Sequence, residues 1–124
     1  MLEQLRRATE VYFNRTLNDG WAFYSQVYNV NKTYNPDSGD FTESVEILGV
    51  NVRTLPSYFS ARERVDLPIE NKDIRLSMFF TDLDDPYSVD VGTIIDGNGQ
   101  KFETVMVLDR NQIIVDVHAR PLND

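Results

Sequence analysis

The chain has 124 residues, 12 of them basic and 20 acidic, for a net charge of -8; 41% are hydrophobic and none is cysteine. That length fits one domain, residues 1–124, with a modest core. The lack of cysteine excludes disulfides, thiolate metal sites and cysteine nucleophiles, and fits a reducing cytoplasm. The acidic balance is the opposite of the clustered positive charge that phosphate binding needs, so unassisted nucleic-acid binding is not expected.

No apolar run approaches the roughly 20 residues of a membrane helix, and the start, Met1-Leu2-Glu3-Gln4-Leu5-Arg6-Arg7, lacks the apolar centre of a signal peptide. No membrane association is therefore expected. Without a secretory signal, the glycosylation-like triplets Asn14-Arg15-Thr16 and Asn31-Lys32-Thr33 read as chance matches.

Leu2, Leu5, Ala8 and Val11 recur at every third residue, with Tyr12 alongside and charged residues between. This predicts an amphipathic helix of about three turns, its apolar face covering one end of the fold or docking on another subunit. Asn18-Asp19-Gly20 ends it. Residues 21–30, rich in aromatic and β-branched side chains, predict a strand. Tyr34 leads into the polar turn Asn35-Pro36-Asp37-Ser38-Gly39-Asp40, and residues 41–54 predict a second strand, bent near Gly49, that completes a long hairpin.

Residues 55–73 mix Pro56 and Pro68 with Tyr58, Phe59 and many charges. So long a structureless stretch is unusual in a small domain; it predicts either a short helix near residues 57–64 or a functional loop, and deleting part of Pro56 to Asp73 is expected to leave a folded barrel. Residues 74–80 predict a strand, which Asp82-Leu83-Asp84-Asp85-Pro86 breaks. Thr93-Ile94-Ile95 and residues 102–108 flank the turn Asp96-Gly97-Asn98-Gly99, a strong hairpin signal. After a turn at Asp109-Arg110-Asn111-Gln112, the alternation of Ile113, Val115, Val117 and Ala119 with Ile114, Asp116, His118 and Arg120 predicts a half-buried strand ended by Pro121. With one helix, about six strands and no interleaved βαβ helices, the natural closure is a mainly β fold, a small antiparallel β-barrel with an N-terminal α-helix and a long inter-strand loop.

Candidate chemistry fails on residue type or spacing. His118, the only histidine, stands two residues from Asp116 on what reads as an exposed strand face, and is expected to be a solvated surface group. Asp82, Asp84, Asp85 and Asp90 invite a calcium reading, but the required glycine and glutamate positions hold Tyr87 and Thr93, so polar turns are expected instead. Asp96, Asn98 and Gln100 fail similarly, at Lys101 and Val107. Gly97 and Gly99 belong to no phosphate-loop motif. No catalytic, metal or cofactor residue is therefore expected. Tyr58 and Phe59 are either core aromatics or partner anchors.

The order of elements carries a resemblance over nearly the whole chain. A helix, an aromatic strand, the Tyr-x-Pro-x-x-Gly-like turn of Tyr34 to Gly39, a strand ending near Gly49-Val50, a variable loop, the strand 74–80, the Asp96-Gly97 turn before Phe102, and a last strand ending in Arg120 follow one another. In this order the chain resembles tailed-phage head-closure proteins, also called head–tail connector, joining or stopper proteins. The family's Pro-x-x-Gly-Asp before the Asp-Gly turn is altered here to Pro86-Tyr87-Ser88-Val89-Asp90-Val91-Gly92.

The resemblance implies a non-enzymatic virion protein of the phage neck, made in the host cytoplasm. It implies a homo-oligomeric ring, hexamer or dodecamer, beneath the portal and adaptor, which closes the DNA-filled head and receives the tail. The isolated chain is expected to be a monomer or weakly associating, and genomic DNA to pass through the ring without specific binding. Leu2, Leu5, Tyr34, Tyr58 and Phe59 are the expected partner contacts; Arg62, Glu63, Arg64, Asp66 and Glu70 are the expected channel-facing loop. A tail-completion, tail-terminator or baseplate component is the alternative, and a small-ligand-binding barrel or hydrolase the alternative of another class.

Overall fold

In the computed structural model, which describes residues 1–122, α1 (Leu2–Asn18) is followed by β1 (Phe23–Tyr34), β2 (Phe41–Ser57), the short helix α2 (Ala61–Asp66) and β3 (Ile74–Phe79). Two 3-10 turns, Phe80–Asp82 and Pro86–Ser88, then lead to β4 (Ile94–Gly97), β5 (Gln100–Arg110) and β6 (Ile114–Pro121). Every ladder is antiparallel, and the sheet closes in the order β1-β2-β3-β6-β5-β4. The expected mainly β barrel with an N-terminal helix is what forms. Closure matters because short strands otherwise leave open edges that pair with other chains.

Turn chemistry sets the pairing. Asn98 and Gly99 both take positive φ, 56° and 74°, the paired geometry that an Asn-Gly step favours in a two-residue hairpin between β4 and β5. At the β5–β6 turn the Asn111 side-chain oxygen accepts from the backbone N–H of Ile113 and Ile114, at 2.8 and 2.9 Å. Strand β5 therefore runs on to Arg110, and Asn111 makes the turn.

Val27, Leu48, Val52, Leu76, Met78, Ile95, Val115 and Val117 are fully buried inside the barrel, and Leu83 and Val89 join them from the connection after β3. Branched aliphatic side chains dominate, as suits an inward pleat. The buried hydroxyls of Ser25 and Thr54 lie 2.6 Å apart, and Thr54 also donates to the Val52 carbonyl, so neither polar group is stranded in the core.

Strand β2 does not end near Gly49-Val50; it bends there. Register shifts between Ser25 and Tyr28 give β2 extra residues relative to β1, and Asn51 takes φ 58°. A β-bulge of this kind kinks a strand. A Cβ on Gly49 would lie 2.6 Å from a Val52 methyl and 3.3 Å from the Asp82 carbonyl oxygen, so the bend closes on a position with no room for a side chain.

Helix α1 lies on the outside of the barrel, and its regularly spaced apolar residues are not the ones it buries. Its buried residues are Phe13 and Thr16, while Leu2, Leu5, Val11 and Tyr12 are exposed. Specific anchors decide this. Phe13 packs edge-to-face on Phe79, centroids 5.6 Å apart, and Arg53 reaches up from β2 to bond Glu10 and Asn14, each at 2.9 Å. The same guanidinium grips Asp82 through Nε and Nη2, at 2.8 and 2.9 Å, and lies over the Phe79 ring. The hydrogen bond to Asp82, helped by Glu10, raises the already high Arg53 pKa further.

Candidate functional site

Beyond Tyr28, β4 no longer pairs with β1, and β3 joins β2 only from Thr54 onward. The intervening β1–β2 hairpin therefore projects as a two-stranded arm, and its pairs sort into two faces. Tyr28–Ile47, Val30–Val45, Lys32–Glu43 and Tyr34–Phe41 occupy one face; Asn29–Glu46, Asn31–Ser44 and Thr33–Thr42 occupy the other. The first face is apolar apart from its ion pair, Lys32 to Glu43 at 3.5 Å, yet Tyr34 and Phe41 are 54% and 66% exposed. The tip is nevertheless well formed. Asn35 and Asp40 bond through their backbones, the Asn35 side chain caps the Asp37 N–H, and Gly39 takes φ 75°. The rings of Tyr34 and Phe41 lie 5.2 Å apart. Isolated two-stranded ribbons are marginal in water, so an exposed apolar face on one points to a partner.

The opposite end of the same wall carries a second such surface. Leu5 and Tyr12 are exposed near one side of α1, and Tyr12 leads into a cleft of about 370 Å³ lined with it by Arg15, Thr16, Asp19, Trp21, Leu55, Pro56 and Ser57. Trp21 at its edge is 71% exposed. Strand β1 starts only at Phe23, so Trp21 is left outside the sheet.

The long connection behaves differently. Strand β2 continues to Ser57, and α2 begins with a capping box in which Ser60 accepts from the Glu63 N–H and Glu63 from the Ser60 N–H. The segment is strapped against the barrel wall. Glu63 pairs with Arg75, and the Ser60 N–H first, with Arg75, holds its carboxyl below the usual range. Arg64 donates to the Glu70 carbonyl, and Glu70 pairs with Arg120 at 3.3 Å. Arg62 and Asp66 are exposed, as is Tyr58. Of the five expected channel-facing residues, three are thus engaged within their own chain.

Two expectations are overturned beneath this strap. His118 is not a solvated surface group: it is fully buried, although it points away from the barrel interior. Phe59 is not an exposed anchor: it is buried edge-to-face on His118, centroids 5.1 Å apart, with Arg75 over its other side. Asp73 completes the cluster. Its carboxylate accepts from His118 Nε2 at 2.6 Å, from Arg120 Nε and Nη2 at 2.9 and 3.0 Å, and from the Glu70 N–H at 2.9 Å. Burial pushes the Asp73 carboxyl up, but Arg120, the Glu70 N–H and His118 together outweigh it and hold it well below the usual carboxylate range. His118 Nδ1 meets no partner among the described residues. Apart from that atom the cluster is internally paired, and it clamps the segment before β3 to β6.

The acids of the 82–90 stretch are likewise absorbed by turns and pairs. Asp82 holds Arg53, Asp85 accepts from Ser88 at 2.6 Å, and Asp90 accepts from the Val91 N–H. Among the described residues no group of three or more His, Asp or Glu is placed to hold a metal ion, and no helix is long and apolar enough to cross a membrane.

Of the expected partner contacts, Leu2 and Leu5 lie on the outward helix face, Tyr34 at the arm tip and Tyr58 at the start of the strap, so they form separate surfaces. Sequence reading missed Phe41, Val45 and Ile47, Tyr34's companions on the arm, although apolar–polar alternation across the hairpin carries that signal. It also missed the joining of Asp73 to His118 and Arg120, which spans more than 40 positions and leaves no local mark.

No family model matches the chain, and no curated protein matches it. Among solved structures it is similar to the solution structure of protein SF1141 from Shigella flexneri 2a, with a TM-score of 0.59 and 12% identity over 80% of this chain and 90% of that one. At that identity the likeness is one of fold.

Proposed function

We propose that the chain is a non-enzymatic structural subunit of a tailed-phage neck, which assembles as a ring beneath the portal and adaptor, closes the DNA-filled head and receives the tail. The observation that carries this reading is the pair of outward apolar surfaces, arm and helix face, on a barrel whose own core is already filled. Such a molecule has contact area to give in two directions. The order of elements in the sequence supplies the phage context. The net charge of -8 is compatible with it, since a ring multiplies that charge and an acidic channel repels DNA that passes through it.

Electron microscopy of the purified chain mixed with portal–adaptor complexes of the same phage tests the reading directly. Ring density below the adaptor is the expected result. Association with tail-tube or baseplate proteins and not with the adaptor would move the protein to the other end of the neck. Genes for central metabolism flanking the coding sequence, instead of portal, capsid and tail genes, would sink the phage context altogether.

A further inference from the structure

We infer that the arm tip of one copy, Tyr34 and Phe41, seats in the cleft beside Trp21 of a second copy, so that the chain associates head to tail. The inference needs only that the chain binds itself, and goes beyond the phage reading in naming both halves of the contact.

The two surfaces match in chemistry. Each carries aromatic side chains: Tyr34 and Phe41 on the arm, Tyr12 and Trp21 at the cleft, which Leu55 and Pro56 also line. Each carries one acid and one base. Lys32 and Glu43 lie two rungs behind the tip on the same apolar face, and Arg15 and Asp19 line the cleft. Seating the tip would set Glu43 against Arg15 and Lys32 against Asp19, two pairs of opposite sign. The cleft, about 370 Å³, has room for the two aromatic side chains of the tip.

The two surfaces also cannot meet within one molecule. They sit at opposite ends of β1, which is 12 residues long and so spans on the order of 35 Å at about 3.3 Å per residue. A contact between unlike patches at opposite ends of one subunit is heterologous; repeated, it closes into a ring or runs on as a filament. A self-matched pairing of two arms would instead stop at a dimer.

The absence of native cysteine makes trapping clean. In the doubly substituted chain Ser57→Cys/Asp40→Cys, which keeps Trp21, Tyr34 and Phe41, the sites lie at the cleft and at the tip, too far apart for an internal disulfide, whose Cα atoms must approach within about 7 Å. Mild oxidation of the concentrated full-length protein should therefore yield a ladder of covalent oligomers, and neither single variant should. Arg15→Glu in that background should cut trapping about tenfold, a change of about 1.4 kcal/mol, and Glu43→Arg should restore it; a purely structural effect would not be rescued. Dimers from Asp40→Cys alone would overturn the inference in favour of arm-on-arm pairing. No ladder at millimolar protein, with the variants folded by circular dichroism, would also overturn it and leave the arm to a different protein. Rings on a portal without the trapped link would overturn it while the neck reading stood; a ladder without such rings would do the reverse.

Discussion

The arm and the strapped flank are both excursions from the same barrel, yet they are finished in opposite ways. Under the strap, Asp73, His118, Arg120, Arg75 and Glu63 bond one another, and Phe59 closes the cluster from outside. On the arm, ordered apolar side chains face solvent with nothing of their own chain above them. The sequence made the flank look like the functional region, because it is long, charged and proline-bearing. The contrast teaches that most of a run of charges can be engaged in holding a chain to itself, while the surface left over for partners is apolar and regular.

Breaking the flank should cost most. Asp73→Ala leaves the buried His118 without its partner and frees Arg120, and should destabilise by about 3–5 kcal/mol in urea unfolding, the range for removing one side of a buried charged pair. Phe59→Ala should cost about 3 kcal/mol, the lower end for a buried phenylalanine. If either behaved as a neutral surface change, the strap would be a loop after all. Deletion of any part of residues 56–73 that takes away Phe59 or Asp73 should consequently destabilise the barrel, which narrows the expectation that part of the segment is dispensable to the parts that hold neither.

Acid should separate the two regions next. The Asp73 and Glu63 carboxyls are both held below their ordinary values in the folded chain. A depressed carboxyl binds fewer protons folded than unfolded, so its stabilisation is complete above about pH 4 and declines as pH falls below that. Unfolding midpoints measured from pH 6 down to pH 2 should fall, and Asp73→Asn should flatten the decline. The arm should matter least to stability: Tyr34→Ser with Phe41→Ser should stay within about 0.5 kcal/mol of the parent, the usual span for surface changes. A drop as large as that of Phe59→Ala would make the arm part of the fold's own core and remove the contrast.

The barrel was legible in the sequence because its signals are local. Val115, Val117 and Ala119 alternate, Asn98-Gly99 dictates a turn, and Tyr34 to Asp40 reverses the chain. What was not legible is what lies on the outside of each element. His118 occupies an outward position of β6, and only a segment 45 residues away determines that it is dry. The three-residue spacing of Leu2, Leu5, Ala8 and Val11 announces an apolar stripe, but the stripe that docks is chosen by Phe13 against Phe79 and by Glu10 and Asn14 against Arg53. Periodicity reveals a face; tertiary partners decide which way it turns.

The grip of Arg53 on Glu10 and Asn14 also divides α1 in time. Its second half is tied to β2 through the Glu10 and Asn14 side chains, so amide protons there should exchange with opening of the barrel, while those nearer Leu2 and Leu5 should exchange through local fraying. The first turns of the helix are thus able to unwind, shift or re-form against an arriving neighbour on a timescale of their own, while the barrel behind them keeps its shape.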